Sequence, residues 1–263
     1  MAEVTHIEDV RHSKLTNFAN CRLSVSFRGE AVEAAFGHAG ARVVAAEDDQ
    51  GNALGDWERP AYLSQAAPIF YQTPRERMDL MLWLSSPKRS ARTIRQLHGE
   101  VMLFHPTKEN GGLVSFPNAG NHVNRWTSLN SGATNEIRFI LLDRSGLERV
   151  GELAPDMAER LELMHKRPEA AEESNLVVIV QDRANTFAAI ELVDEQWKPL
   201  WDRGTFNTSG SGPLSDGERW RFDLRNCKLA DGAKLNQATI QLWRVAPEAL
   251  RPVPFVLERI VLP

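Results

Sequence analysis

The sequence has little cysteine. Its 263 residues include only Cys21 and Cys227, which lie far apart and lack the spacing of metal ligands. One pair of cysteines makes no disulfide framework, so a small fold held together by many disulfides is excluded. We expect two buried thiols, with one long-range disulfide as the alternative if the protein is exported.

Long apolar runs are also missing. No stretch approaches the roughly 18 consecutive apolar residues of a membrane helix, so we expect no membrane insertion. The amino end, MAEVTHIEDVRHSKL, lacks the basic-then-apolar layout of a signal peptide. The chain as written is expected in the cytoplasm, and in the cell envelope or medium if a leader has been removed.

The charge balance shows no positive excess. Lys and Arg number 31 against 35 Asp and Glu, which gives a net charge of −4. Nucleic-acid binding favours a clustered basic surface, so we expect no nucleic-acid partner.

Signatures of catalysis and metal binding are absent too. There is no Gly-x-Ser-x-Gly elbow, and no histidine has a second ligand at metal-binding spacing. We therefore expect no catalytic residue, metal or cofactor. The acidic turns at Asp48–Asp49 and Asp194–Glu195 offer oxygen ligands without the regular spacing of a calcium loop. Ordinary solvated turns are favoured there, and bound calcium stays an open alternative.

The patterns that are present indicate β-structure. RLSVSF alternates, with Leu23, Val25 and Phe27 on one face, and RWRFDL alternates in the same way. IRFILL (137–142) and LVVIV (176–180) are short continuous apolar runs, typical of strands covered on both faces. One short helix is predicted near 155–167, where Pro and acidic residues come first and basic residues last.

Two short motifs occur twice in the same order. DDQGNAL begins at Asp48 and DEQWKPL at Asp194, and each is followed by a Leu-Trp-x-x-x-Pro piece, LWLSSP or LWRVAP. The second copy is 14 residues longer, which is the length of the turn-rich segment 204–217. This predicts an internal duplication with an inserted surface loop at 204–217, and chance similarity of short motifs is the alternative.

The predicted fold class is therefore all-β, with two tandem related β-sandwich domains of immunoglobulin-like type. The first spans 15–108. The second spans 123–263 and carries the short helix.

The paired Leu-Trp pieces are predicted to mark the same strand in each domain. Alternation places Trp83 and Trp243 opposite the core-facing leucines, on outer sheet faces. Such a ring needs a cover: a loop or helix of its own domain, the other domain, or a partner. On the last two alternatives both residues are interface candidates.

Four further tryptophans lie in segments that resemble loops: Trp57, Trp126, Trp197 and Trp201. Exposed indole rings stack on sugars and anchor protein interfaces, so these residues are candidate ligand-binding positions. The alternative is that they plug the open ends of the sandwiches.

The order of DDQGNAL, LWLSSPKRSARTIRQLHGEVML and PVPFVLERIVLP resembles that of poorly characterised bacterial proteins. The resemblance implies duplicated β-sandwich proteins, often exported, without an assigned activity, and it carries over no functional residue. The positions that carry it are Asp48, Asp49, Gly51, Pro87, Leu97, Gly99 and Glu100.

These observations predict a non-catalytic binding or structural protein. The leading expectation is protein–protein contact or self-association, as a cell-envelope or assembly component. The first alternative is a carbohydrate-binding module that uses exposed tryptophans. The second is a glycoside-active hydrolase or its accessory domain, for which no pair of carboxylates stands out.

Overall fold

A computed structural model describes residues 1–10, 20–55, 69–70, 75–130, 136–158, 175–213 and 219–263. The chain forms two compact units. Unit 1 consists of Met1–Gly112 together with Val245–Pro263, and unit 2 is Leu113–Arg244. Both are mostly β, with several antiparallel sheets.

Fifteen strands occur in the described residues, numbered here in chain order. They are β1 Ala2–Val10, β2 Asn20–Arg28, β3 Gly37–Asp48, β4 Ile69–Phe70, β5 Arg77–Ser85, β6 Thr93–Phe104, β7 Leu113–Pro117, β8 Thr127–Leu129, β9 Ile137–Leu142, β10 Asn175–Asp182, β11 Phe187–Val193, β12 Trp201–Pro213, β13 Arg219–Leu229, β14 Thr239–Arg244 and β15 Leu250–Val261.

The helices of the described residues are short. The α-helices are α1 Glu30–Glu33, α2 Arg144–Glu148 and α3 Val150–Leu153, and 3-10 turns occur at Ala119–His122, Pro155–Met157, Leu235–Gln237 and Pro247–Ala249. In the described part of the chain, no helix has the length and apolar character needed to cross a membrane.

Unit 1 contains two sheets around one apolar core. Their strand orders are β1-β2-β5 and β15-β6-β3-β4. Leu23, Val25 and Phe27 of β2 are buried in this core, as the alternation of RLSVSF predicts. Leu97 and Val101 of β6 enter the same core from the other sheet. The period-two pattern therefore brings the apolar faces of both sheets together.

Unit 2 has the strand orders β12-β13-β10-β9-β8 and β11-β14-β7. The continuous apolar runs of β9 and β10 are buried on both faces. Phe139 and Val178 face one core, while Ile140 and Ile179 face a second core shared with Leu147 of α2. A helix cover on the outer face explains why these strands contain so few polar residues.

The unit boundaries differ from the predicted 15–108 and 123–263 at the end of the chain. Residues 245–263 belong to unit 1 because β15 pairs with β6, from Leu250 opposite Phe104 to Val261 opposite Thr93. A pairing between strands so distant in sequence leaves no local pattern from which to predict it.

The segment 204–217 differs from the expected loop. Residues 204–213 lie in β12, which pairs with β13 up to Pro213 opposite Arg219, and 214–218 lie outside the described residues. Its Gly, Ser and Thr residues form a strand at the edge of a sheet because backbone groups, not apolar side chains, make the ladder. Of the predicted helix near 155–167, the described part is the 3-10 turn Pro155–Met157 with Ala158, and the rest lies outside the described residues.

The two Leu-Trp pieces do not mark the same strand. Trp243 lies in β14, which pairs with β11, the strand that leads into the Asp194 turn. Trp83 lies in β5, which pairs with β2, whereas the strand paired with β3 before the Asp48 turn is β6. A Leu-Trp pair occurs both in β5, which has one buried face, and in β14, which is buried on both, so the match in sequence did not fix a position in the sheet.

Candidate functional site

The acidic turn of unit 2 is held by its own first residue. Oδ1 of Asp194 accepts hydrogen bonds from the backbone N–H groups of Gln196 and Lys198, both at 2.9 Å. The Asp194 N–H donates to the Lys198 carbonyl, and the Trp197 N–H donates to the Asp194 carbonyl. These bonds fix the backbone of the turn from both ends.

The acidic turn of unit 1 has the same bonds at the same offsets. Oδ1 of Asp48 accepts from the N–H groups of Gln50 and Asn52, both at 2.9 Å. The Asp48 N–H donates to the Asn52 carbonyl, and the Gly51 N–H donates to the Asp48 carbonyl. The repeated Asp-acidic-Gln-x-x-x-Leu motif therefore specifies one local structure in both units.

Asp48 is more deeply held than Asp194. It is fully buried, and both of its carboxylate oxygens also accept from the Asn52 side-chain amide. Burial raises the pKa of Asp48, but the backbone N–H and side-chain bonds from Asn52 and the N–H bond from Gln50 outweigh it. The pKa of the Asp48 carboxyl therefore lies below its usual value, and the group is an internal anchor of the turn.

The two turns differ most at the residue with left-handed backbone. In unit 1 this is Gly51, with φ +78°. In unit 2 it is Trp197, with φ +64° and a side chain that is 56% exposed. A side chain at positive φ is uncommon, and a bulky one is a conformational outlier. Unit 2 thus presents an indole ring where the matching turn carries no side chain.

A cavity of about 380 Å³ opens beside this turn in unit 2. Asp194, Glu195 and Gln196 line it from the turn, immediately before Trp197 in the chain. Asp231 and Lys234 line it from the next turn. A cavity of this size lies within the range of small-molecule sites, and polar groups make up much of its lining. We call Trp197 together with this cavity the Trp197 site.

The other predicted loop tryptophans have structural contacts. Trp201 is 5% exposed in the core of unit 2, and its indole N–H donates to Glu191 Oε2 at 3.1 Å. Trp126 is half-buried, with its indole N–H donating to the Leu153 carbonyl at 2.6 Å and the Arg138 guanidinium over its ring. Trp57 lies outside the described residues. Of the three described loop candidates, Trp197 is the most exposed.

The two interface candidates both have contacts within the chain. Trp83 stacks under the Arg22 guanidinium, 4.3 Å from the ring centroid, and Arg22 pairs with Glu8 at 3.2 Å. Trp243 is only 8% exposed. Neither ring is therefore a large exposed platform.

Sequence reasoning missed a second concave region, in unit 1. A groove of about 740 Å³ lies between β1 and β15, each of which is one edge strand of its sheet among the described strands. Val261, 70% exposed, and Val256, 48% exposed, are among its lining residues. Nothing in the local sequence reveals this groove, because it depends on where the last strand pairs.

Metal ligands are not brought together in the described ranges: no group of three His, Cys, Asp or Glu side chains there could hold an ion. Cys21 and Cys227 are buried thiols in the cores of different units, with no disulfide between them. No protein-family model, curated protein or solved structure matches the chain.

Proposed function

We propose that this chain is a non-catalytic carbohydrate-binding protein that recognises its ligand at the Trp197 site. The observation that supports this most directly is the 56% exposed side chain of Trp197, which follows directly in the chain on three residues that line a polar cavity. A pyranose ring presents a face of C–H groups that stacks on an indole, and hydroxyl groups that need hydrogen-bond partners. Carboxylates and side-chain amides at the cavity supply those partners.

The charge of the cavity limits the class of sugar that we expect to bind there. Its lining includes three carboxylates, Asp194, Glu195 and Asp231, against the single ammonium of Lys234. Anionic sugars, such as uronic acids, would meet like charge there, which is unfavourable at short range. Neutral polysaccharides are therefore the proposed ligands.

The geometry of the turn also supports a role in binding. Left-handed backbone costs a residue with a side chain roughly 1–2 kcal/mol relative to a relaxed conformation. The turn of unit 1 avoids this cost with Gly51. A tryptophan at such a position, with more than half of its side chain exposed, leaves ring surface for a ligand contact.

Affinity electrophoresis in gels that contain single neutral polysaccharides tests this proposal. We expect at least one, among glucans, xylans and mannans, to retard the protein, and Trp197→Ala to weaken that retardation about tenfold, a loss of about 1.4 kcal/mol. Gln50→Ala, in the matching turn of unit 1, is the control and should bind normally. Equal retardation of Trp197→Ala and the parent protein would contradict the proposal.

A protein partner is the second candidate, and the groove between β1 and β15 favours it. Among the described strands, β1 pairs only with β2, and β15 only with β6, so both present an edge. An exposed edge with apolar side chains is a surface to which another polypeptide can add a strand. Association of the protein with another polypeptide at this edge can be followed by sedimentation velocity. A Val256→Lys, Val261→Lys double variant should abolish that association, and an unchanged association would count against this surface.

We further propose that the units are copies of one ancestral β-sandwich. The matching acidic turns support this, as does the strand order, since β15-β6-β3 in unit 1 corresponds to β7-β14-β11 in unit 2. The pair β2-β5 likewise corresponds to β10-β13. An experimental structure in which these five strands superpose on their counterparts would support duplication, and one in which they do not would refute it.

A further inference from the structure

The chain leaves unit 1 after β6 and returns to it after β14. β7 follows β6 directly, yet pairs with β14 in unit 2, with Trp243 opposite Leu113. β15 follows β14 directly, yet pairs with β6 in unit 1. The strand that follows β6 of unit 1 therefore completes a sheet of unit 2. The strand that follows β14 of unit 2 completes a sheet of unit 1.

β15 fits closely into the core of unit 1. Phe255, Leu257 and Ile260 are buried there, and the Phe255 ring contacts Phe27 edge-on, with centroids 4.9 Å apart. The same ring lies against Gly99, where an added Cβ would clash with it. The position of β15 is therefore specified by side-chain packing as well as by its ladder of backbone bonds.

We propose that the edge of β6 is an acceptor for a donor strand, and that β15 of a second copy of this chain occupies it in a strand-exchanged dimer. All the contacts just described lie within unit 1 and are the same whichever copy supplies β15. Exchange of an identical element adds no new unfavourable contact, which is why such dimers form readily.

The length of the segment between β14 and β15 determines the conditions under which β15 is exchanged between two copies. Val245–Ala249 joins β14 to β15, and the Ala249 carbonyl accepts from the His105 N–H at 2.8 Å. So short a link gives the chain's own β15 a high effective concentration at β6, which favours the monomer in dilute solution. Exchange therefore requires β15 to leave its place, and the dimer forms when unfolded chains refold at high protein concentration.

Two cysteine variants of the full chain test the exchange. Gln96 and Glu258 are opposite each other in the β6–β15 ladder. A Gln96→Cys chain and a Glu258→Cys chain are unfolded, mixed, refolded at high concentration under reducing conditions and then oxidised. We expect a disulfide-linked dimer on a non-reducing gel, and none when the folded proteins are mixed without unfolding.

Two controls make the outcome decisive. Glu248→Cys places a thiol on an exposed residue of the connection, away from Gln96 along the β6 ladder, and reports random collisions between chains. A chain with both Gln96→Cys and Glu258→Cys should form the bond within one molecule and remain a monomer by light scattering. The proposal is overturned if this double variant closes its internal bond while the mixed single variants crosslink no more than the Glu248→Cys control.

Discussion

The acidic turns of the two units share one hydrogen-bond pattern but are used in different ways. In unit 1 the carboxylate of Asp48 is fully buried and accepts a hydrogen bond from the Asn52 side chain. Gly51 takes the left-handed position of this turn. In unit 2 Asp194 is partly exposed, and Trp197 takes the left-handed position with a side chain that is 56% exposed. The shared bonds fix the backbone, and the side chains that take no part in them are available for different roles.

The largest difference should appear when each anchor is removed. Asp48→Ala leaves the part-buried N–H groups of Gln50 and Asn52 and the Asn52 amide without their buried acceptor, so we expect a loss of about 3 kcal/mol in the free energy of unfolding. Asp194→Ala exposes its donors to water and should cost about 1 kcal/mol. Urea unfolding measures both, and equal losses would show that the two turns are held alike.

Exchanging the left-handed residues should shift stability in opposite directions. Trp197→Gly relieves the backbone and should raise the free energy of unfolding by about 1 kcal/mol, while sugar binding is lost. Gly51→Trp should lower it by about 1–2 kcal/mol. A Cβ at Gly51 finds space, since its nearest neighbour is Glu47 Oε1 at 3.7 Å, so the cost is conformational.

The outcome that contradicts this exchange is specific. If Trp197→Gly is less stable than the parent protein, the indole contributes to folding, and the case for Trp197 as a strained binding residue fails. Urea midpoints for both variants, measured beside the polysaccharide gels, separate the two readings.

Acid should lower the stability of unit 1 by protonating the Asp48 carboxylate. Because its folded-state pKa is depressed, the carboxylate contributes stability that is fully present above the unfolded-state pKa of about 3.9. That contribution is lost as the pH falls through the lower folded-state pKa. Asp48→Asn should therefore be less stable than the parent protein near neutral pH, with a gap that narrows below about pH 4. A constant gap across this range, in urea titrations at several pH values, would contradict the assignment.

The smallest expected effect concerns the matched glutamines. Gln196 lines the cavity of the Trp197 site, and Gln50 holds the same place in the other turn. Gln196→Ala should weaken polysaccharide binding by about 1 kcal/mol or less, and Gln50→Ala should leave it unchanged. Equal binding by the two variants would exclude the Gln196 side chain from the site.

The predictions made from sequence succeeded where the signal was local. The alternation of Leu23, Val25 and Phe27 gave a strand with one buried face, and the run in β9 gave a strand buried on both. The Trp197 site could be predicted in part, because aligning DDQGNAL with DEQWKPL already places Trp197 opposite Gly51. The prediction of a loop at 204–213 was wrong, because a strand at a sheet edge can be formed by residues that are typical of turns.

The sequence by itself determined the β-rich character of this protein and the form of its acidic turns, because both depend on residues that are neighbours along the chain. Only the tertiary structure decided that β15 belongs to unit 1, and that Trp83 and Trp243 occupy different places in their sheets. Strand pairing joins residues far apart in sequence through backbone bonds that every residue type except proline can make. The choice of partner is therefore made by the packing of whole faces, and no short motif carries it.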